Sequence, residues 1–153
     1  HKWLEMMKNK LGIFEKEDED LALIQNLISW MKTHKVDYTN TFCYLMNQKT
    51  GNTEIYKNLN FISWKTEWED RLNRSQRSKD EIINKMSSVN PLVIPRNHKV
   101  EEILRDAETK DDYLSLKKLL KFIKYPYLFQ EGIGIFQEPS GLPYKEYKTF
   151  CGT

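Results

Sequence analysis

"DLALIQNLISWMK" (residues 20–32) decides the fold class, because its apolar residues mark one continuous face of an α-helix. They recur at spacings of three and four: Leu21, Ile24, Leu27, Ile28 and Met31. The acidic run "EKEDED" (15–20) precedes them, and its negative charge lies at the favourable end of a helix dipole. Asp18 or Asp20 can cap this helix. A calcium loop is excluded, because glycine and the closing glutamate are missing at the required positions.

The same spacing recurs on both sides of this stretch and predicts further helices. They cover residues 2–11, 38–46, 61–72, 82–86, 100–107 and 116–123. Gly12 is placed to end the first helix, Asp37 to cap the third, and Ser78 with Glu81 forms a capping box. Strand signals are weak, so we predict an all-α array of six or seven helices.

The character of the chain changes at residue 125. The segment 125–153 holds three of the five prolines and four of the six glycines, with Tyr and Phe residues among them. Such a composition is typical of extended, irregular backbone. We therefore expect a helical domain over residues 1–124 and an irregular tail over 125–153, packed on that domain or on another part of the protein.

Composition excludes several functional classes. The net charge of +2 is too balanced for a dedicated nucleic-acid binder, which normally carries a strong basic excess. No apolar run approaches the roughly 20 residues of a membrane span. The first ten residues lack the apolar core of a signal peptide, and two cysteines do not make a disulfide framework. We expect a cytoplasmic protein without membrane or nucleic-acid partners.

The motifs of catalysis are missing from these 153 residues. "GIGIF" (132–136) contains Gly-x-Gly, but Gln137 occupies the position of the third glycine in a phosphate-binding fingerprint. No strand precedes the segment either. There is no P-loop lysine motif and no kinase catalytic loop. Three scattered histidines do not form a zinc site. The residues alone predict no catalytic, cofactor-binding or metal-binding group.

Two stretches remain as candidates. In "NPLVIPRNH" (90–98), Asn90 and Pro91 have the pattern of a helix start, and Arg96 could anchor a carboxylate. A structural role is favoured there over a phosphate or substrate contact. In "YKTFCGT" (147–153), Cys151 is either an inert thiol or an accessible redox group, whereas Cys43 lies on an apolar helical face and is expected in the core.

These stretches, taken with four others, resemble the C-terminal region of the selenoprotein O (YdiU) family. The six, in order, are "KNKLGIF" (8–14), "DYTNTF" (37–42), "VNPLVIPRN" (89–97), "DAETKDDYLSLKKLL" (106–120), "YPY" (125–127) and "YKTFCGT" (147–153). The resemblance covers nearly the whole chain. It departs from the family at Cys43, where a basic residue is expected after "TF".

The resemblance implies a function for a longer parent protein. Members of this family have a kinase-like core that binds ATP and magnesium and transfers AMP to hydroxyl groups of other proteins. The motifs of that core are expected upstream, so the present chain alone is expected to be inert and to pack against the core. Cys151 matches the family's near-terminal cysteine or selenocysteine, a position linked to redox control. Asn90, Pro91, Arg96 and Asn97 match family motifs as structural or interface residues.

A hypothesis from another class remains beside this one. The chain could be a stand-alone helical interaction module with no enzymatic parent, since balanced charge and apolar helix faces suit that role equally well. The sequence upstream of residue 1 separates the two hypotheses.

Overall fold

The computed structural model describes residues 2–48 and 50–140, and in these residues the protein is all-α, as predicted. Seven α-helices are described: α1 (Lys2–Lys10), α2 (Asp20–Thr33), α3 (Tyr38–Leu45), α4 (Leu59–Arg74), α5 (Lys79–Ser87), α6 (Asn97–Lys110) and α7 (Leu114–Lys124). Two short 3-10 helices, Glu54–Lys57 and Ile133–Phe136, complete the described elements. None of these helices is long and apolar enough to cross a membrane.

The chain divides between Leu92 and Val93 into two compact units. Unit 1 contains α1 to α5, and unit 2 contains α6 and α7. The division falls inside the candidate stretch 90–98. The predicted change from helical domain to tail at residue 124 coincides with the end of α7, and that division stays a prediction.

Unit 1 is built on aromatic side chains of α2, α3 and α4. The Trp30 ring lies 4.5 Å from Phe61, and Trp64 stacks on Trp68 at 6.1 Å, between ring centroids. The indole nitrogens of Trp30, Trp64 and Trp68 each donate a hydrogen bond, for example from Trp64 to the Leu23 carbonyl at 2.8 Å. Because both Trp64 and Trp68 are buried and bonded in this way, they belong to the core.

Capping explains where two of the helices begin. The Asp37 carboxylate accepts the Asn40 amide at the start of α3, and Ser78 with Glu81 forms the predicted capping box on α5. A third prediction was wrong, since the N-cap of α2 is Glu19 and its side chain makes no capping bond. Asp20 is instead the first helical residue, and its carboxylate faces a buried arginine.

Unit 2 packs α6 and α7 together around a small apolar core. Its buried apolar side chains are Val93, Ile103, Ala107, Leu119, Phe122, Ile133 and Phe136. Asp111 ends α6 in the left-handed region (φ 54°), and the Asp112 carboxylate accepts the Leu114 amide at 2.9 Å. Asp111 therefore ends α6, and Asp112 supports the start of α7.

The predicted helix start at Asn90 and Pro91 was wrong. Residues 91–96 are not helical, and α6 begins at Asn97 with Arg96 as its extended N-cap. Pro95 disfavours helical backbone at the residue before it, which postpones the helix. The Asn90 side chain is buried in unit 1, where it donates to the last carbonyl of α1, and it does not cap α6.

Candidate functional site

Asn90 joins the end of α1 to the segment that follows α5. Its Nδ2 donates to the backbone oxygen of Lys10 at 2.8 Å, and its Oδ1 accepts from Lys10 Nζ at 3.1 Å. Only 1% of the Asn90 surface is exposed. A buried amide with both ends bonded holds two segments in one register, because either lost bond would leave a buried polar group unsatisfied.

The Lys10 ammonium is enclosed by oxygen atoms and aromatic rings. Besides Asn90 it donates to the Val89 carbonyl at 3.2 Å, and it lies 5.1 Å from the Phe42 ring centroid and 5.6 Å from that of Tyr38. Burial lowers the pKa of Lys10, and the neighbouring Cys43 opposes that shift. The enclosure replaces part of the water that a lysine normally keeps, through carbonyl contacts and cation–π attraction.

Pro91 contacts Cys43, the first of the two cysteines in the sequence. The Cys43 thiol on α3 donates to the Pro91 carbonyl with a sulfur–oxygen distance of 3.7 Å. Cys43 has no exposed surface, which confirms its predicted place in the core. A thiol so enclosed is shielded from solvent oxidants, so the structural role is favoured over a reactive one.

Arg96 and Asn97 lie in unit 2, whereas Asn90 and Pro91 lie in unit 1. Arg96 has extended backbone (φ −83°, ψ 125°) as the N-cap of α6, and Asn97 is the exposed first residue of that helix. Burial lowers the pKa of the adjacent His98, and Lys99 and Arg96 lower it further. Two of the four motif residues therefore belong to each unit.

Cys151, the redox candidate, lies outside the described residues. Its role stays a prediction from the sequence. The Gly-x-Gly segment, by contrast, is described: Gly132 has φ 84°, and the following 3-10 helix buries Ile133 and Phe136. Two of its residues therefore belong to the core of unit 2.

An ion-pair network in unit 1 was missed by the sequence reasoning. The side chain of Arg71 on α4 is buried, and its Nε donates to Asp20 Oδ1 at 2.7 Å. Its Nη2 also donates to the Glu15 carbonyl at 2.8 Å, and its Nη1 lies 3.1 Å from Glu17 Oε1. Arg71 therefore fastens the "EKEDED" segment to α4, whereas the acidic run alone indicated only a helix start.

Two more arginines extend the network to the surface. Arg74 pairs with Glu17 at 2.6 Å, and Arg77 pairs with Glu15 and Glu81 at 3.3 Å each. The hydrogen bond from Arg74 lowers the pKa of Glu17. The signal in the sequence was the spacing of Arg71, Arg74 and Arg77 by three, which places them along one side of the α4 C-terminus and the turn after it.

Unit 1 has two open clefts between α2 and α4, of about 330 and 370 Å³. The larger contains Glu19, Asp20, Glu67 and Asp70 together with Arg71 and Arg74. The Asp20 oxygens are occupied by Arg71 and the Glu17 amide. Among residues 2–48 and 50–140 no group of three or more His, Cys, Asp or Glu side chains could hold a metal ion.

Comparison with known proteins shows which family this chain is similar to. Residues 1–124 match the family described as protein adenylyltransferase SelO. The chain is 47% identical over 152 residues to the protein nucleotidyltransferase YdiU of Pelagibacter ubique. This alignment covers 99% of the chain and 31% of that relative. The YdiU proteins of Halalkalibacterium halodurans and Clostridium beijerinckii are 40% and 44% identical, again over 31% of their length. The chain thus spans about a third of the length of these relatives.

Proposed function

Because this chain belongs to the SelO family, whose YdiU members are protein nucleotidyltransferases, we propose that it is the C-terminal helical domain of such an enzyme. The remainder of the parent would carry the kinase-like core that binds ATP and magnesium. That core would transfer AMP from ATP to hydroxyl groups of other proteins. The observation that carries the proposal is the coverage: 99% of this chain aligns with only 31% of its relative.

The placement at the C-terminus rests on the order of the six sequence stretches that resemble that region of the family. The side chains with the most hydrogen bonds, such as Arg71 and Asn90, bind other residues of unit 1. A domain of this kind can support a catalytic core without holding its reactants.

The contribution of this chain would be mechanical and regulatory. Arg71 and Asn90 fix the loops of unit 1 on its helices, so that the unit presents one shape to the core. Cys151 would supply a thiol for thiol–disulfide control of the parent, with a partner cysteine in the core. Cys43 is not that partner in this proposal, since it is fully buried beside Pro91.

The experiment is to read the gene on both sides of this chain. The proposal expects an open reading frame that continues upstream of His1 for about twice the length of the chain and encodes kinase-like nucleotide motifs, in keeping with the 31% coverage. A frame that continues downstream of Thr153 instead would reverse the placement. A start codon close to residue 1 with no further coding sequence would favour the stand-alone interaction module.

A further inference from the structure

Unit 2 exposes an unusual concentration of large apolar side chains next to α7. Five lie within ten residues of sequence, here called the 120–129 surface: Leu120, Tyr125, Tyr127, Leu128 and Phe129. Phe129 is 68% exposed and Leu128 is 61% exposed. Single exposed apolar residues are ordinary, but such a cluster marks a surface that another molecule or domain covers.

The loop that carries these side chains is held to the helix. Gln130 Nε2 donates to the Phe122 carbonyl at 3.4 Å and to the Tyr125 carbonyl at 3.3 Å. The Leu128 amide donates to the Tyr125 carbonyl at 3.1 Å, which closes a turn. Beyond the loop, Phe136 packs against Phe122 with ring centroids 5.4 Å apart. The aromatic residues are therefore presented by anchored backbone.

The charge that α7 places beside this surface is positive. Helix α7 has four exposed lysines and no acidic residue: Lys117, Lys118, Lys121 and Lys124. Lys124 Nζ lies 5.5 Å from the ring centroid of Tyr125, which places charge directly at the apolar cluster. A complementary partner surface is apolar at its centre and has Asp or Glu side chains at its rim.

We infer that the 120–129 surface docks onto an acid-rimmed apolar surface of the parent's catalytic core, the part of the polypeptide outside this chain. This inference rests on the proposed function and adds the residues through which the two parts meet. More than two thirds of the YdiU relative lies outside the match, which covers 31% of it. A covalently linked core is present at high effective concentration, so a modest apolar surface is enough for docking.

Two other occupants fit less well. A symmetric pair of copies would bring the same patch of each together, and so place the α7 lysines of one copy near those of the other. A membrane surface favours a helix with a free apolar face. The apolar face of α7 is partly used inside unit 2, because Leu119 and Phe122 are buried there.

Hydroxyl-radical footprinting with mass spectrometry tests this inference without any substitution. The full-length parent and the 153-residue chain are labelled in parallel. We expect most of the labelling at Tyr125, Tyr127 and Phe129 to be lost in the parent. Leu59 and Ile62, exposed on α4 of unit 1, serve as internal controls and should be labelled equally in both proteins.

Each other result overturns the inference. Equal labelling of the three aromatic residues in the two proteins would show that the core does not cover them. Protection of the isolated chain only by phosphatidylglycerol vesicles would identify a membrane contact, and protection only at high chain concentration would identify self-association. The readout does not depend on AMP transfer. An enzymatically inactive parent with a protected surface would refute the proposed function alone, and an active parent with an unprotected surface would refute this inference alone.

Discussion

Asn90 and Lys10 bind each other twice, through the Asn90 amide to the Lys10 carbonyl at 2.8 Å and through the Lys10 ammonium to the Asn90 Oδ1 at 3.1 Å. The two residues are 80 positions apart in the sequence, so this pair closes unit 1 from its first helix to its last segment. It also gives the family-motif residue Asn90 a structural role in the described chain.

Asn90→Ala should destabilise unit 1, because the buried carbonyl of Lys10 and its ammonium both lose a partner. We expect a cost of about 1–3 kcal/mol in the free energy of unfolding. Urea denaturation monitored by tryptophan fluorescence measures it. The matched control is Asn84→Ala, an exposed asparagine on α5, which should change stability by less than about 0.5 kcal/mol. Equal effects of the two substitutions would contradict the role of the pair.

Arg71→Met should cost more than the Asn90 change. It leaves the Asp20 carboxylate buried and without its counter-charge, a situation that costs about 3–5 kcal/mol. The double variant Asp20→Asn with Arg71→Met should regain part of the loss, since neither position of the pair then carries a buried charge. Arg105→Met, on the exposed side of α6, is the control. Chemical denaturation of the three variants and the unsubstituted chain measures these effects. A double variant no more stable than Arg71→Met would disprove the ion-pair account.

Acid should loosen the network around "EKEDED". The hydrogen bond from Arg74 lowers the pKa of Glu17, and the Ser78 amide lowers that of Glu81, both from an ordinary value of 4.5. A carboxylate whose pKa is lower in the folded state than in the unfolded state stabilises the protein at pH values above the unfolded-state pKa. This contribution is lost as the pH falls through the folded-state pKa. The melting temperature should therefore decrease as the pH is lowered below 4.5.

The variant Glu17→Gln removes one titrating group from this window, so its melting temperature should depend less steeply on pH there. Glu108→Gln, an exposed change of equal charge on α6, is the control. Identical profiles for Glu17→Gln and the unsubstituted chain would exclude Glu17 from the acid response.

The sequence predicted the helices far better than it predicted their contacts. Apolar spacing identified α2 and α4, because a periodic apolar face is typical of a partly buried helix. The buried side was predicted less well, since Leu21 of the predicted face is exposed and Trp30 is buried. Which side of a helix is covered depends on its neighbours. Two capping patterns were found because caps are local, at Asp37 and at Ser78.

The candidate site was less predictable for the same reason. Asn90 and Pro91 had the local pattern of a helix start, but a hydrogen bond across 80 positions decides the conformation of Asn90. The Arg71–Asp20 pair joins residues 51 positions apart, and nothing in either local pattern reports the partner. The family assignment succeeded because six ordered stretches carry more information than any one of them.

Redox control gives a prediction for the full-length parent. Cys151→Ser should alter how its transfer activity responds to a reductant such as dithiothreitol, because the proposed disulfide cannot form without that thiol. Cys43→Ser is the matched control and should leave the response unchanged, since Cys43 is buried beside Pro91. Activity is measured before and after reduction. A response that persists in Cys151→Ser would remove Cys151 from the control mechanism.

The most direct test of the central claim is AMP transfer by the chain and by its parent. Each is incubated with magnesium, protein acceptors and ATP labelled at the α-phosphate, so that attack by an acceptor hydroxyl retains the label as pyrophosphate leaves. We predict labelled acceptors with the full-length parent and none with the 153-residue chain alone. Label transferred by the chain alone, or a parent that transfers none, would contradict the account.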